Sequence, residues 1–338
     1  MKKRDRIRKA LSKLTLAEAK IITKGVLAKY KKQANLKAIT DRAKKLVSYG
    51  PLENNNDMTK EAQRRREART KARREFADSQ PQEGEFNRLS PEQKEQLQIE
   101  AGLATSAYVG FGTESQKKYM PKDYDLMEKH KLPKELQSHY NQKTGLLSLP
   151  SGLDALILEG PDRPTIAFRG TELNIKDNIA PTDPRIRKDM AAYLVQREGG
   201  FSPAYQDAAG ILDALLESMP ENQSLRVTGH SMGGGLAQFA TAANSQKHQG
   251  RISASCFNAT GLSDTTLGAL EGKIEDSQNL ISHVRVEGDF ASPGSKDEEE
   301  EKGVLIGEVM TLPKPDNIDE NISVHEARSV TKAIAAQM

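Results

Sequence analysis

The 338-residue chain predicts an α/β fold, a mostly parallel central sheet flanked by helices, preceded by a basic, mainly helical or disordered extension. Three observations carry this reading. Residues 225–236 read LRVTGHSMGGGL, a short strand-like run that turns sharply into a stretch of small residues. Residues 154–158 and 165–168 are apolar runs separated by Gly160, Pro161 and Asp162, which is hairpin chemistry. Residues 203–219 carry apolar side chains at helical spacing, bounded by Pro203 and Pro220.

The elements follow in order. Residues 91–108 form the first helix, with Ser90 as cap and Pro91 at its first position. Residues 112–150 are mixed and cover one edge of the sheet. Residues 154–158 and 165–168 are the paired strands. The interval 172–201 has its own prolines and an amphipathic stretch at 189–196, and long inserts of this kind are often functional. The next helix starts at Pro203 behind the cap Ser202. Tyr205, Ala208, Leu212, Leu215, Leu216 and Met219 line one of its faces. Leu225, Arg226, Val227 and Thr228 make the next strand. Gly233, Gly234, Gly235, Ala237, Ala240, Ala242 and Ala243 then make a helix narrow enough to lie close on the sheet. Residues 254–257 and 281–286 read as later strands, and 304–306 and 308–310 as short final ones.

Gly229-His230-Ser231-Met232-Gly233 is a G-x-S-x-G turn between a strand and a helix. That context presents a serine oxygen at the top of a sheet. The turn leaves no room for a Cβ at Gly229 or Gly233. Upstream, Phe168-Arg169-Gly170-Thr171 closes a strand 60 residues before the serine. With FRGT at 168–171 and VTGHSMGGGLA at 227–237, the chain resembles the class 3 lipases of the α/β-hydrolase superfamily, over roughly residues 140–335. Within them it is closest to the bacterial phospholipase A1 branch. Met232 stands where Leu is more usual, and Gly235 where Ala is common.

The resemblance implies an α/β-hydrolase-like fold and hydrolysis of ester bonds in acylglycerols and phospholipids. It also implies an oxyanion hole built from Thr171 and the Met232 N–H, and a lid within 172–201. A serine nucleophile needs a base, and the base needs an orienting acid. In such hydrolases they follow in the order Ser, Asp or Glu, His. Three histidines lie beyond Ser231. His248 sits in a polar stretch and reads as solvated. His283 sits within a strand and reads as structural. His325 opens the terminal helix and matches the family's late histidine. The acid is expected in the turn after the 281–286 strand, where Asp289 matches the family's aspartate and Glu287 competes. His230 adjoins the nucleophile but reads as structural, since neighbouring residues on the elbow point in different directions. The expected site is therefore Ser231, Asp289 and His325, with Thr171 and Met232 as oxyanion donors, and the scheme calls for no metal and no cofactor.

Charge divides the chain. Residues 1–80 hold 24 Lys and Arg against 9 Asp and Glu, a net of +15; residues 81–338 hold 26 against 38, a net of −12. The expected organisation is a basic extension (1–80), a polar linker with Pro81 and Gly84 (81–89), and a lipase-like domain (90–338). The extension suits export handling by a secretion chaperone, an accessory or immunity partner, or an anionic membrane surface. It has no reader motif for nucleic acid. No uninterrupted apolar segment of signal-peptide or transmembrane type is present. The single cysteine, Cys256, permits no intrachain disulfide. The expected protein is a serine lipase or phospholipase acting at membranes, cytoplasmic or secreted as a bacterial effector by a route independent of a signal peptide. A non-lipid carboxylesterase and a catalytically silent lipase-fold binding module are the alternatives. The run of acids at 297–301 reads as a solvated loop, because five consecutive side chains converge poorly on one cation.

Overall fold

The computed structural model describes residues 85–109, 119–171, 201–270, 272–289, 291–293, 303–315 and 324–338. The basic extension 1–80, most of the interval 172–201 and the acidic run 297–301 lie outside the described residues.

Nine described strands form one mixed sheet: β1 (Asp125–Leu126), β2 (Tyr140–Asn141), β3 (Leu146–Ser148), β4 (Asp154–Glu159), β5 (Thr165–Phe168), β6 (Leu225–His230), β7 (Ile252–Phe257), β8 (Ile281–Val286) and β9 (Glu308–Leu312). Their spatial order from β2 to β9 follows the chain, and β1 pairs with the far end of β4. The β2 to β5 half is antiparallel. From β5 to β9 every neighbour is parallel. The hairpin expected at 154–168 is the β4–β5 pair, with Ile157 opposite Ile166.

Side chains alternate across the sheet, as strand geometry requires. Ala155, Ile157, Ile166, Phe168, Leu225, Val227, Ala254 and Cys256 face one layer, formed by α2 (Pro203–Ser218) and α3 (Met232–Asn244). Phe257, Val284, Val286, Met310 and Leu312 face the other, formed by α1 (Pro91–Val109) and α4 (Ala327–Ala335). The fold is thus a three-layer α/β sandwich of the α/β-hydrolase type, as the sequence predicts.

Local signals set the helix starts. Ser90 and Gln93 form a reciprocal capping box: Gln93 N–H donates to Ser90 Oγ at 3.3 Å, and Ser90 N–H to Gln93 Oε1 at 2.9 Å. Ser202 Oγ accepts from Ala204 N–H, with Pro203 in the first turn. α1 is fastened to the sheet by a buried ion pair, Arg226 Nε to Glu100 Oε1 at 2.9 Å. Burial raises the Glu100 carboxyl, with the Arg226 charge working against that rise.

Three details differ from the expectation. Phe86, within the polar linker 81–89, is buried beside Leu97, Val286 and Leu312, so its end packs with the domain. His248 is not solvated; it is buried, with Nε2 2.8 Å from Asp213 Oδ1 of α2. Of residues 304–306, Val304 alone makes a bridge, to Leu262, and the last strand begins at Glu308. No helix among the described residues is long and apolar enough to cross a membrane.

Candidate active site

The carboxyl ends of the parallel strands are where an open α/β sheet builds its sites. Here β5 leads to Thr171, β6 to Ser231, β7 to Asn258 and β8 to Asp289. The elbow is as tight as its glycines suggest. A Cβ on Gly229 would strike the Gly233 backbone, and one on Gly233 would strike the Phe168 carbonyl and lie 2.9 Å from Arg169 C. A Cβ on Gly234 would stand 2.6 Å from the Ala259 Cβ. Between them Ser231 takes φ 59° and ψ −127°, a conformation that L-residues rarely adopt. Surrounding bonds hold it there. Ser231 N–H donates to Phe257 O at 3.0 Å, while Ser231 O accepts from Gly235 N–H and from Thr260 N–H, both at 3.1 Å.

The structure brings Ser231, His325 and Asp289 into one line. His325 Nε2 lies 2.8 Å from Ser231 Oγ, and His325 Nδ1 lies 2.7 Å from Asp289 Oδ1. All three side chains are buried. The carboxylate's other oxygen, Oδ2, accepts from Ser292 N–H at 2.8 Å. Burial works to raise the Asp289 carboxyl. The neighbouring His325 and the Ser292 bonds outweigh it and hold the group below its ordinary value. Asp289 is therefore ionised at neutral pH. That carboxylate can only accept, so it pairs with Nδ1–H, and in the neutral ring Nε2 is then the acceptor for the serine hydroxyl. Glu287, the competing acid, is exposed.

The FRGT loop passes directly over the nucleophile. A Cβ on Gly170 would stand 3.1 Å from Ser231 Cβ, as well as striking the Tyr108 hydroxyl and the His230 carbonyl. Thr171 follows, buried, and its hydroxyl lies 3.5 Å from the Met232 thioether sulfur. The Met232 N–H belongs to the first turn of α3, among the donors that a helix leaves unpaired. Thr171 thus meets the side chain of Met232, the residue that follows Ser231 in the chain.

The other histidines fall elsewhere. His283 is buried in β8 with Nε2 2.9 Å from Ile306 O, and burial pushes it down to about 4. His248 lies on the α2–α3 side, paired with Asp213. His230 is closer to the site than the elbow's geometry suggested. Its Nε2 is 2.5 Å from His325 O and its Nδ1 3.0 Å from Tyr108 Oη. Its ring centroid stands 4.9 Å from that of His325. Sequence reasoning also missed Asn258 and Tyr108. The signal for Asn258 was faint: a lone Asn directly after a strand, the residue type that best tolerates positive φ, here 41°. Nothing local marks Tyr108.

The lipase from Rhizopus microsporus var. chinensis is similar in structure at 17% identity and a TM-score of 0.36, covering 58% of this chain and 68% of that one. Lipase II from Rhizopus niveus is similar at 16% identity and a TM-score of 0.35, covering 59% and 73%. A further fungal lipase is similar at 13% identity and a TM-score of 0.39, covering 70% and 86%. No curated protein matches the sequence. A family model described as the Tle-like phospholipase domain matches residues 99–326, or 228 of 338 residues, from α1 to the turn that carries His325. The chain therefore belongs to this phospholipase-like family, a family of lipid ester hydrolases with the α/β-hydrolase fold.

Proposed function

We propose that the protein is a serine phospholipase, of the A1 type, that hydrolyses carboxylic esters of membrane lipids through Ser231, His325 and Asp289. The observation that carries this reading is the unbroken hydrogen-bonded line from Ser231 Oγ through both nitrogens of His325 to Asp289 at a strained elbow.

The chemistry follows from that line. His325 Nε2 takes the Ser231 proton as Oγ attacks the ester carbonyl carbon. The carbonyl oxygen becomes an oxyanion, and the Met232 N–H and Thr171, through hydroxyl or backbone N–H, stabilise it. Losing one such donor typically costs about 10²–10³ in rate. The imidazolium, steadied by the Asp289 carboxylate, gives its proton to the departing alcohol oxygen, leaving an acyl group on Ser231. Water then attacks the acyl carbon while Nε2 takes a proton from it, and the fatty acid leaves as Oγ recovers its proton. The backbone bonds that hold Ser231 in its strained conformation fix Oγ in place before the reaction, so the orientation is not bought at each turnover.

The proposal extends to the basic residues 1–80, which we assign to contact with an anionic membrane surface, a secretion chaperone, or an accessory or immunity protein. The net charge of +15 against −12 for the remainder supports a separate role for this segment. In the same reading the protein acts as a secreted effector.

The test is release of fatty acid from anionic phospholipid vesicles with differently labelled sn-1 and sn-2 chains. Wild type should release the sn-1 chain, and Ser231→Ala should release neither. Release of sn-2 alone overturns the A1 assignment. Cleavage of a short nitrophenyl ester without any lipid release moves the activity to a general carboxylesterase. Silence on both substrates favours a binding role for the fold.

A further inference from the structure

His325 sits on a turn just ahead of α4, not on a strand, so its position depends on what grips that turn. Two consecutive carbonyls are gripped from neighbouring strands. Asn258 Nδ2 donates to Val324 O at 3.0 Å. His230 Nε2 lies 2.5 Å from His325 O. A carbonyl oxygen can only accept, so His230 Nε2 must carry a hydrogen. In a neutral ring Nδ1 is then an acceptor, and the Tyr108 hydroxyl faces it at 3.0 Å while also lying 3.3 Å from His230 O, so its one hydrogen is shared between these two acceptors. Burial pushes His230 down to about 3, with the adjacent His325 acting in the same direction, so the neutral ring persists throughout the ordinary working range.

Asn258 does more than hold one carbonyl. Its Oδ1 accepts from Val286 N–H at 2.9 Å, and its own N–H donates to Val284 O at 3.0 Å. Val286 ends β8, three residues before Asp289. One fully buried amide therefore ties the strand that delivers the acid to the turn that delivers the base. The left-handed φ of 41° aims it between the two. Asn accepts that conformation at lower cost than most residues. His230, fixed by its place beside Ser231, likewise ties the nucleophile's strand to the same turn.

We propose that His230 and Asn258 are positioning residues for the reaction, holding the Val324 and His325 carbonyls so that the His325 ring lies in line between Ser231 and Asp289. This rests on the Ser231–His325–Asp289 reading of the site. Neither residue touches the reacting atoms; each acts through His325. Displacing a reacting group by about 1 Å can cost about 10²-fold in rate, so loss of either grip should appear in kcat and leave KM nearly unchanged.

The experiment compares wild type, Ser231→Ala, His230→Ala, His230→Gln and Asn258→Asp on a nitrophenyl ester, with kcat referred to folded enzyme from melting curves. Gln places an amide N–H near the position of Nε2. Asp keeps the acceptor for Val286 N–H but turns an oxygen toward the Val324 carbonyl. We expect kcat to fall about 10- to 100-fold in His230→Ala and Asn258→Asp at little-changed KM, and His230→Gln to recover most of the loss. Folded His230→Ala or Asn258→Asp turning over at the wild-type kcat overturns the proposal, as does a Gln variant no better than Ala. If His230→Ala fails to fold, Asn258→Asp and His230→Gln decide. Turnover that survives Ser231→Ala overturns the catalytic reading itself and the proposal with it. Turnover that needs Ser231 but ignores His230 and Asn258 overturns the proposal alone.

Discussion

Replacing Asp289 by Asn probes the site most sharply, because the structure dictates which way the amide will turn. The carboxylate accepts on both oxygens, from His325 Nδ1–H at 2.7 Å and from Ser292 N–H at 2.8 Å. An Asn side chain offers one acceptor and one NH₂ donor. Ser292 N–H is a fixed backbone donor, so the amide oxygen is drawn to it and the NH₂ faces His325. Nδ1 must then give up its hydrogen, Nε2 carries it, and the ring can no longer take the Ser231 proton. The opposite orientation sets NH₂ against N–H in a buried position, at about 1–3 kcal/mol. That favours the inactive tautomer about 5- to 150-fold. Loss of the carboxylate also removes a charge-assisted hydrogen bond to the imidazolium, worth a further about 1.5–3 kcal/mol. Together these predict a fall in kcat of about 10²- to 10⁴-fold, in the range known for the same exchange in the serine protease triad, about 10⁴. Steady-state hydrolysis of a nitrophenyl ester, with folding checked by a melting curve, measures it. A loss of less than tenfold in folded protein would refute the assignment of Asp289 as the orienting acid.

Other outcomes follow from the same coordinates. Gly233→Ala forces a methyl against the Phe168 carbonyl and the Arg169 backbone, so it should cost about 1–3 kcal/mol of stability and displace the FRGT loop, lowering kcat; a urea melt and an ester assay read both. Arg226→Met leaves the Glu100 carboxylate buried without its ion-pair partner and should cost about 3–5 kcal/mol in a denaturant melt, while any protein that remains folded keeps its kcat. Acid should destabilise the fold well above the carboxylate range. An unfolded histidine takes a proton near pH 6.5, whereas buried His230 and His283 do so only at about 3 and about 4. Between those values the unfolded state binds more protons, so the stabilisation is complete above pH 6.5 and drains as pH falls. In urea melts between pH 6 and 4, His230→Gln should show a dependence shallower by about 1.4 kcal/mol per pH unit; an unchanged slope would mean that His230 is protonated in the native state.

The parts of this fold legible in the sequence are those whose physics is local. The elbow could be read because the Cβ-free positions Gly229 and Gly233 are forced by the backbone itself. The β4–β5 hairpin and both helix caps at Ser90 and Ser202 are likewise short-range devices. Asp289 and His325 are nominated by chain order and position together with the resemblance to the class 3 lipases, since position alone leaves Glu287 beside Asp289 as a candidate. What escaped depends on distant partners. His248 looks solvated until Asp213, 35 residues away on α2, packs beside it. Phe86 reads as linker until β8, β9 and α4 enclose it. Tyr108 and Asn258 have unremarkable neighbours in sequence and gain their roles from carbonyls and rings met only in three dimensions. The strands β1 to β3, two or three residues each, are too short to show alternation.

The most direct test of the central claim is covalent labelling with an alkyl fluorophosphonate, followed by peptide mapping. The account predicts one phosphonylated residue, Ser231, with labelling abolished in Ser231→Ala and slowed in proportion to lost activity in His325→Ala and Asp289→Asn. An adduct on another serine, or equal labelling of His325→Ala and wild type, would contradict it.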